Sequence, residues 1–299
     1  MVSNYIEYFK ARLKPTTAYN KETILKAKII PFFGKLKLNE ITPIHITKWQ
    51  NSVIKEGYSQ TYLKTLNNQL SSSLNYAVKF YGLRENPCVK AGSMGKKHAD
   101  RKDFWTVDDF KNFLEYFNQD NLHDFKFYVF FSFLFFSGCR LGEALALTYS
   151  DIDVKKHTVT ISKNYANLKG EDIILTPKTE KSKRKITLPV NIINKLWELH
   201  CKSVDKNIKA RLFDFDKTVA HRALTKACNA TGVEKIRIHD IRHSHATLLI
   251  NMGTPVKLVS ERLGHENIET TLRTYSHLYK EKEEEVTEKL DSICQKVSI

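Results

Sequence analysis

Four short clusters in the second two thirds of the chain hold the side chains best suited to chemistry. They are Ser137–Glu143, Thr176–Thr179, His239–His243, and Leu263–His265 followed ten residues later by Tyr275. Guanidinium groups stay charged and bind anions through paired hydrogen bonds, imidazoles transfer protons near neutral pH, and a phenol can act as a nucleophile. Taken singly, each cluster has an ordinary structural explanation, such as a surface ion pair, a solvated lysine or a packed tyrosine. Their combination in one chain is what indicates a catalytic site.

The same clusters make a poor site for a divalent metal. Metal-dependent nucleases need several carboxylates close together, but the clusters contain one Glu, Glu143, and one Asp, Asp240. The histidines in and near them are His239, His243, His245, His265 and His277. No Cys or His pair has the spacing of a structural zinc site with a matching second half. We therefore expect no metal and no cofactor, and we interpret His243 and His245 as structural.

The ordered set resembles the active-site signature of the tyrosine recombinase superfamily. In chain order it reads Arg140, Lys178, His239-x-x-Arg242, His265 and Tyr275. The flanking sequence motifs agree with this resemblance. Gly-x-Arg-x-Gly-Glu is followed by Leu-x-Leu, and Leu-Gly-His is followed by Thr-Thr. The similarity is strongest to integrases of phages and conjugative transposons. It implies a site-specific recombinase that cuts and rejoins duplex DNA through a 3′-phosphotyrosyl intermediate and integrates or excises a mobile element.

The resemblance assigns the phosphate-binding roles to cations. Arg140 and Arg242 would bind the scissile phosphate, because displacement at phosphorus passes through a transition state with charge spread over the nonbridging oxygens. His265 would add a hydrogen bond to the same phosphate. Glu143, one helical turn after Arg140, would orient the site rather than transfer a proton.

The resemblance also assigns the nucleophile and the proton transfers. Tyr275 would attack the phosphate and remain attached, and His239 would be its base or hydrogen-bonding partner. Lys178, in a hairpin turn, would protonate the departing 5′ oxygen. His277 is open between helix packing and a place beside the nucleophile. The dense basic run after Lys178 is interpreted as DNA-binding through phosphate contacts rather than as a solvated hairpin. That run comprises Lys181, Lys183, Arg184 and Lys185.

The pattern of apolar residues predicts two domains. Helical spacing over 17–33, from Thr42-Pro43 to 53, and from Ser59 to 81 predicts a small helical bundle. The breaker-rich segment that follows predicts a linker. We expect a helical core-DNA-binding (SAM-like) domain at 1–90, a linker at 91–102, a catalytic domain at 103–279 and a tail helix at 280–299.

Within the catalytic domain, the sequence predicts helices around a small antiparallel sheet. Phe125 to Phe136 is apolar nearly all round and predicts a buried helix. An alternating pattern over 159–188 predicts the sheet, and the chain is helical again beyond Asn191. The fold class is therefore mainly α with a small antiparallel β-sheet, and the catalytic domain is mixed α+β. The resemblance implies that the two domains form a C-shaped clamp on DNA.

The composition favours a polyanionic partner. The chain has 48 Lys and Arg against 33 Asp and Glu, a net charge of +15. Residues 1–100 hold 16 of these cations against 6 acids, so the first domain is the stronger candidate for gripping the DNA backbone. No apolar run is long enough for a membrane span, and we expect a cytoplasmic protein with no membrane partner.

The resemblance further implies how the protein assembles. Four protomers would bind two duplex recombination sites as a homotetramer and exchange strands through a Holliday junction. Each tail helix would dock on a neighbour through the stripe of Val286, Leu290 and Ile293. Whether DNA-bending and excision accessory proteins take part is left undecided by the sequence. Related integrases commonly carry an arm-binding domain ahead of the clamp, and nothing before Tyr5 could encode one. The chain is therefore either truncated or of the two-domain kind.

Two alternatives remain at the level of sequence. A type IB topoisomerase-like enzyme would use the same chemistry but relax DNA without exchanging partners. A non-catalytic, sequence-specific DNA-binding protein would need only the charge and the helices. The size, the flanking words and the complete residue set favour the recombinase over both.

Overall fold

The computed structural model describes residues 1–96, 104–176, 183–280, 287, 290, 291 and 293–295. The chain divides into two compact units, Met1–Arg101 and Lys102–Ile299. No helix in the described ranges is both long and apolar enough to cross a bilayer.

The first unit is entirely helical in its described part. Its helices are α1 Val2–Lys10, α2 Pro15–Ile24, α3 Ile30–Phe33, α4 Pro43–Ile54, α5 Gln60–Phe80 and α6 Pro87–Ala91. A short 3-10 turn at Leu38–Glu40 precedes α4. Helix α1 was not predicted, but Tyr5 and Phe9 lie on one face four residues apart and are buried in the core. The helix predicted over 17–33 is interrupted by a π-helical turn at Leu25–Ile29. Pro31 lies just beyond it, and a proline cannot donate to the preceding turn and crowds its carbonyl.

The core of the first unit follows the predicted spacing. Helix α5 begins where Ser59 caps it by accepting a hydrogen bond from the Tyr62 amide at 3.3 Å. Its buried face recurs every three or four residues, and Trp49 of α4 packs into the same core. The buried residues of α5 are Leu63, Leu66, Asn67, Leu70, Ser73, Leu74 and Ala77.

The predicted linker begins inside this unit. Residues 87–91 form α6, with Asn86 as its cap, and Met94 is buried in the same core. The Lys96 amide donates to the Gln60 carbonyl at 3.1 Å. The first unit therefore includes the chain up to Lys96, while 97–102 lie outside the described residues.

The second unit consists of helices around two small antiparallel sheets. Its helices are α7 Val107–Leu114, α8 Leu122–Ser137, α9 Leu141–Leu145, α10 Val190–Lys202, α11 Lys217–Thr231, α12 Ile238–Asn251, α13 Val256–Leu263 and α14 Ile268–Lys280. Its strands are β1 Ile152–Asp153, β2 Thr158–Ile161, β3 Asn164–Leu168, β4 Glu171–Leu175 and β5 Arg184–Thr187. Helix α8 is buried nearly all round, as predicted, and forms the centre of the core.

The alternating segment forms two sheets where one was predicted. Strand β2 pairs with β1 and β5, with Val159 opposite Ile186, and these side chains face the core. Strands β3 and β4 pair only with each other, and Ile174 is half exposed. The β3–β4 hairpin is thus an insertion that leaves the first sheet after β2, and the chain returns to that sheet at β5. The mainly α fold with small antiparallel sheets is confirmed.

Candidate active site

Arg140 is placed by the tight connection between α8 and α9. Gly138 ends α8 in the left-handed conformation, with φ of 64°. Arg140 is the residue before α9, and its amide donates to Oε2 of Glu143 at 3.0 Å. Its guanidinium donates to Oε1 of Glu143 at 2.8 Å and to the Gly264 carbonyl at 3.2 Å. Glu143 therefore fixes both the backbone and the side chain of Arg140.

Arg184 lies inside the domain rather than on the predicted DNA-binding surface. Its side chain is 7% exposed and donates to Oε2 of Glu143 at 2.9 Å. Its Nε donates to the Arg262 carbonyl at 2.8 Å. The interpretation of Arg184 as a phosphate contact is corrected, because its charge is already matched by a buried carboxylate. Burial would raise the pKa of Glu143, but Arg184 and Arg140 outweigh that effect and hold the pKa below its usual value.

The rest of the basic run is divided. Lys183 and Lys185 are exposed on and beside β5, as a phosphate-contacting role requires. Lys178 and Lys181 lie outside the described residues.

Arg242 of α12 is a buried guanidinium with an unused donor. The residue is 3% exposed, and its Nη1 donates to the Gly138 carbonyl at 2.8 Å. Among the described residues, its buried Nη2 has no hydrogen-bonding partner. Burial lowers the pKa of Arg242 to about 10, and Arg140 adds to this by repulsion. Two neighbouring guanidinium groups with an unused donor form a site suited to an anion.

His265 lies at the turn between α13 and α14. Gly264 ends α13 in the left-handed conformation, and His265 Nδ1 lies 2.7 Å from the hydroxyl of Thr271. Burial lowers the pKa of His265 to about 4, followed by repulsion from Arg242 and Arg140. The imidazole is therefore neutral near pH 7. An open cleft of about 820 Å³ beside it is lined by His265, Gly264 and Arg184.

Tyr275 is buried against α12 and α13. The residue is 4% exposed and packs in an apolar cluster. The cluster consists of Ala246, Ile250, Val259, Leu263 and Tyr275. Its hydroxyl lies 2.6 Å from Nδ1 of His243, a residue that we interpreted as structural. Burial raises the pKa of Tyr275 well above its usual value.

His239 lies one helical turn before His243. The two rings meet edge to face with centroids 5.3 Å apart. His239 is partly exposed to solvent. Partial burial, followed by repulsion from His243 and Arg242, lowers its pKa to about 4. Within the described residues, His239 has no hydrogen bond to another side chain. The imidazole that contacts Tyr275 is therefore that of His243.

His245 fits the structural interpretation. It is 3% exposed, and its Nε2 lies 3.1 Å from Nε of Arg262, which donates to it. Arg262 also donates to the Phe136 carbonyl at 3.1 Å and so ties α13 to the end of α8. His277 lies on α14, but its side chain is outside what the structure describes.

Five of the six predicted catalytic residues come together in this region. The positive charges of Arg140 and Arg242 contribute to lowering the pKa values of His239 and His265, and the charge of Arg242 also acts on Tyr275. The sixth, Lys178, lies outside the described residues. Within the described ranges, no three His, Cys, Asp or Glu side chains are grouped as metal ligands would be.

The sequence analysis did not predict the contact of His243 with Tyr275 or the contact of Arg184 with Glu143. His243 stands four residues after His239 on one helix face, and that spacing was the available signal. The partnership of Arg184 with Glu143 had no such signal, because 41 residues separate them.

Comparison with known proteins assigns the chain to a family. Residues 103–282 match the phage integrase family, and residues 1–54 match its N-terminal SAM-like domain. The chain belongs to the phage integrase family. It is 30% identical over 306 residues to the ICEBs1 integrase of Bacillus subtilis (strain 168), covering 98% of this chain and 82% of that one. It is 25% identical over 329 residues to the integrase of Staphylococcus phage L54a, covering 98% and 92%.

Solved structures share the integrase fold. The Tn1549 transposon integrase in complex with transposon right end DNA matches with a TM-score of 0.76 at 19% identity, covering 91% of this chain and 92% of that one. A lambda integrase tetramer bound to a Holliday junction matches with a TM-score of 0.69 at 18% identity, covering 91% and 75%. The predictions of the tyrosine recombinase family, its fold and its activity are confirmed. This integrase is a tyrosine-type site-specific recombinase.

Proposed function

We propose that this integrase cuts and rejoins duplex DNA through a 3′-phosphotyrosyl bond to Tyr275 and thereby integrates or excises a mobile element. The observation that carries the proposal is the buried guanidinium of Arg242. Its Nη2 has no partner among the described residues, and its charge acts on Tyr275. A scissile phosphate bound at this donor would stand beside the nucleophile.

Three side chains would hold that phosphate. Arg140 and Arg242 supply permanent positive charge to the nonbridging oxygens, where charge develops in the transition state. Neutral His265 supplies a hydrogen bond from Nε2, because its Nδ1 faces Thr271. Glu143 keeps Arg140 in place from behind and does not transfer a proton.

Two further groups would act on the leaving oxygen and on the phosphate. Lys178 protonates the 5′ oxygen as it leaves, and His239 contacts the phosphate by a hydrogen bond. The exposed Lys183 and Lys185, with Lys181, contact the DNA backbone near the hairpin.

Both units would bind the same DNA, and four protomers would assemble on two recombination sites. The first unit carries most of the charge excess, and a matching structure is an integrase tetramer on a Holliday junction. Leu290 and Ile293 of the tail are exposed, as a docking stripe requires, while Val286 lies outside the described residues. Deletion of residues 280–299 should abolish assembly on DNA, as measured by gel shift with a two-site substrate. Unaltered assembly would contradict the docking role.

A nicked suicide substrate tests the chemistry. When cleavage releases a short strand that diffuses away, the wild-type protein should accumulate a covalent adduct with the 3′ phosphate on Tyr275. Tyr275→Phe should bind the DNA equally well and give no adduct. An adduct in Tyr275→Phe would refute the nucleophile, and its absence in the wild type would favour a protein that only binds DNA. Relaxation of plasmids that lack a recombination site would favour a topoisomerase-like enzyme.

A further inference from the structure

The phenol of Tyr275 is hydrogen-bonded to His243 and not to His239. The Nδ1 atom of His243 lies 2.6 Å from the phenol oxygen, and within the described residues no other hydrogen bond to that oxygen is present. We infer that His243 is the general base that accepts the Tyr275 proton during DNA cleavage. This inference rests on the proposed function, because it names the proton acceptor of the same reaction.

The contact is held by packing on both sides. His243 lies in the second turn of α12, and Tyr275 lies in α14, which packs on α12. The phenol ring is fixed by the apolar cluster from α12 and α13. The two rings are tilted by 57° with centroids 5.7 Å apart, so the contact runs through the edge of the imidazole. A general base must lie within hydrogen-bonding reach of the proton that it takes, and His243 meets that requirement before DNA binds.

The protonation states of His243 and Tyr275 are those that a general base and its proton donor need. Burial lowers the pKa of His243 below its usual value, Asp240 opposes this lowering, and repulsion from Arg242 and Arg237 adds to it, so the imidazole is neutral near pH 7. Burial raises the pKa of Tyr275, so the phenol keeps its proton. The hydroxyl therefore donates and Nδ1 accepts, which leaves the ring hydrogen of His243 on Nε2.

The proton balance closes in both directions. In cleavage, the phenol oxygen forms a bond to phosphorus, its proton passes to Nδ1 of His243, and the bond from phosphorus to the 5′ oxygen breaks. The 5′ oxygen takes its proton from Lys178 as proposed above. In rejoining, a 5′ hydroxyl attacks phosphorus and returns its proton to the neutral Lys178, the bond from phosphorus to the phenol oxygen breaks, and that oxygen recovers the proton held by His243.

A buried carboxylate stabilises the imidazolium formed in between. Asp240, three residues before His243, is 1% exposed and is held by Arg237 through bonds of 2.8 and 2.9 Å. Its charge favours protonated His243. His239, one turn earlier, is thereby free to face the phosphate. The titratable and charged groups around His243 are His239, Asp240, Arg242 and Arg237 of α12 and its start, Tyr275 of α14 and His265 of the preceding turn.

Single-turnover cleavage of the suicide substrate tests the inference. His243→Asn keeps a polar group near the phenol but cannot take up a proton, and we expect cleavage to slow by about 10²- to 10⁴-fold. Its DNA affinity and thermal unfolding should match the wild type. His239→Asn is the matched control one turn away. If His243→Asn does not fold, His243→Gln gives the same test.

The pH profile separates a base from a packing residue. The wild-type cleavage rate should be flat from about pH 7 to 8, because the pKa of His243 is held below its usual value and the imidazole is neutral in that range. In His243→Asn the proton must pass to hydroxide, so the rate should rise by up to about tenfold per pH unit. His239→Asn should stay flat, however slow it is. A flat pH profile in His243→Asn, or a cleavage rate within about threefold of the wild type, would overturn the assignment of His243 as the base. Adduct formation by the wild-type protein would still support the proposed function.

Discussion

The guanidinium of Arg184 donates to Oε2 of Glu143 at 2.9 Å, and both side chains are more than nine-tenths buried. Arg140 binds the other oxygen of the same carboxylate at 2.8 Å. One buried glutamate thus joins the start of α9 to β5 and places an arginine of the site. A contact of this kind is costly to break from one side, because the remaining charge stays buried without a partner.

Glu143→Gln should therefore destabilise the protein strongly. We expect a loss of about 3 to 5 kcal/mol in the free energy of unfolding, measured by urea titration, because Arg184 keeps its charge and loses its carboxylate. Glu115→Gln, at an exposed position, is the control and should change stability by less than about 0.5 kcal/mol. A loss below about 1 kcal/mol in Glu143→Gln would mean that the pair behaves like a surface ion pair.

The buried position of Arg184 predicts how DNA binding depends on salt. Lys185→Gln should reduce the log–log salt slope of binding by about 0.9, the value for one phosphate contact. Arg184→Gln should leave the slope unchanged and reduce cleavage instead, because its charge faces Glu143. Filter binding at several salt concentrations measures both. An equal reduction of the slope in Arg184→Gln would restore the original phosphate-contact interpretation.

Gly138 is required for two separate reasons. Its φ is 64°, and a Cβ there would lie 2.5 Å from Cδ2 of His245. Gly232 has a similar φ of 73° but open space around it. Gly232→Ala should cost about 1 to 2 kcal/mol from backbone strain alone. Gly138→Ala should cost a further 1 to 3 kcal/mol or so from overpacking.

The same substitution tests the support of Arg242. The Gly138 carbonyl accepts from Arg242, so Gly138→Ala should also reduce cleavage, whereas Gly232→Ala should not. Urea titration and the suicide substrate report the two effects. Equal losses of stability in the two variants would show that His245 can move away from the new Cβ without a loss of stability.

His245 predicts a loss of stability in acid. Burial, followed by repulsion from Arg262, lowers the pKa of His245 from 6.5 to about 3 in the folded protein. As the pH falls, the unfolded chain therefore takes up a proton on His245 before the folded protein does. The free energy of unfolding is unaffected by this group above about pH 7 and declines as the pH falls from about 6.5 toward 3. Between pH 7 and pH 5 the loss from this one group should be about 2 kcal/mol.

His245→Gln is the variant that isolates this group. Glutamine can accept the hydrogen bond from Arg262 but does not titrate, so the variant should lose less stability than the wild type between pH 7 and pH 5. Urea titrations at the two pH values give the difference. Parallel losses in both proteins would assign the acid sensitivity to other histidines.

Cleavage should not depend on a divalent metal. The two carboxylates of the site are already matched by arginines, Glu143 by Arg140 and Arg184, and Asp240 by Arg237. Adduct formation on the suicide substrate should therefore proceed at an unchanged rate in excess EDTA. Strict dependence of the adduct on added Mg²⁺ would contradict the proposed mechanism.

The sequence alone determined the features that depend on near neighbours in the chain. Helix α5 follows from apolar residues spaced by three and four behind the Ser59 cap, and α8 from a continuous apolar run. The active-site residues were found by their order and flanking words, which need no knowledge of distance. These patterns are local, and local backbone preference with burial of one face is enough to produce them.

Only the tertiary structure decided which side chains meet. His243 and Tyr275 are 32 residues apart, Glu143 and Arg184 are 41 apart, and Arg140 and Gly264 are 124 apart. Whether a cation binds a phosphate or a buried carboxylate depends on where β5 meets α9, and which of two histidines touches the phenol depends on how α14 packs on α12. That packing is set by the whole core, because each contact is weak on its own and forms only where the buried apolar faces bring its partners together.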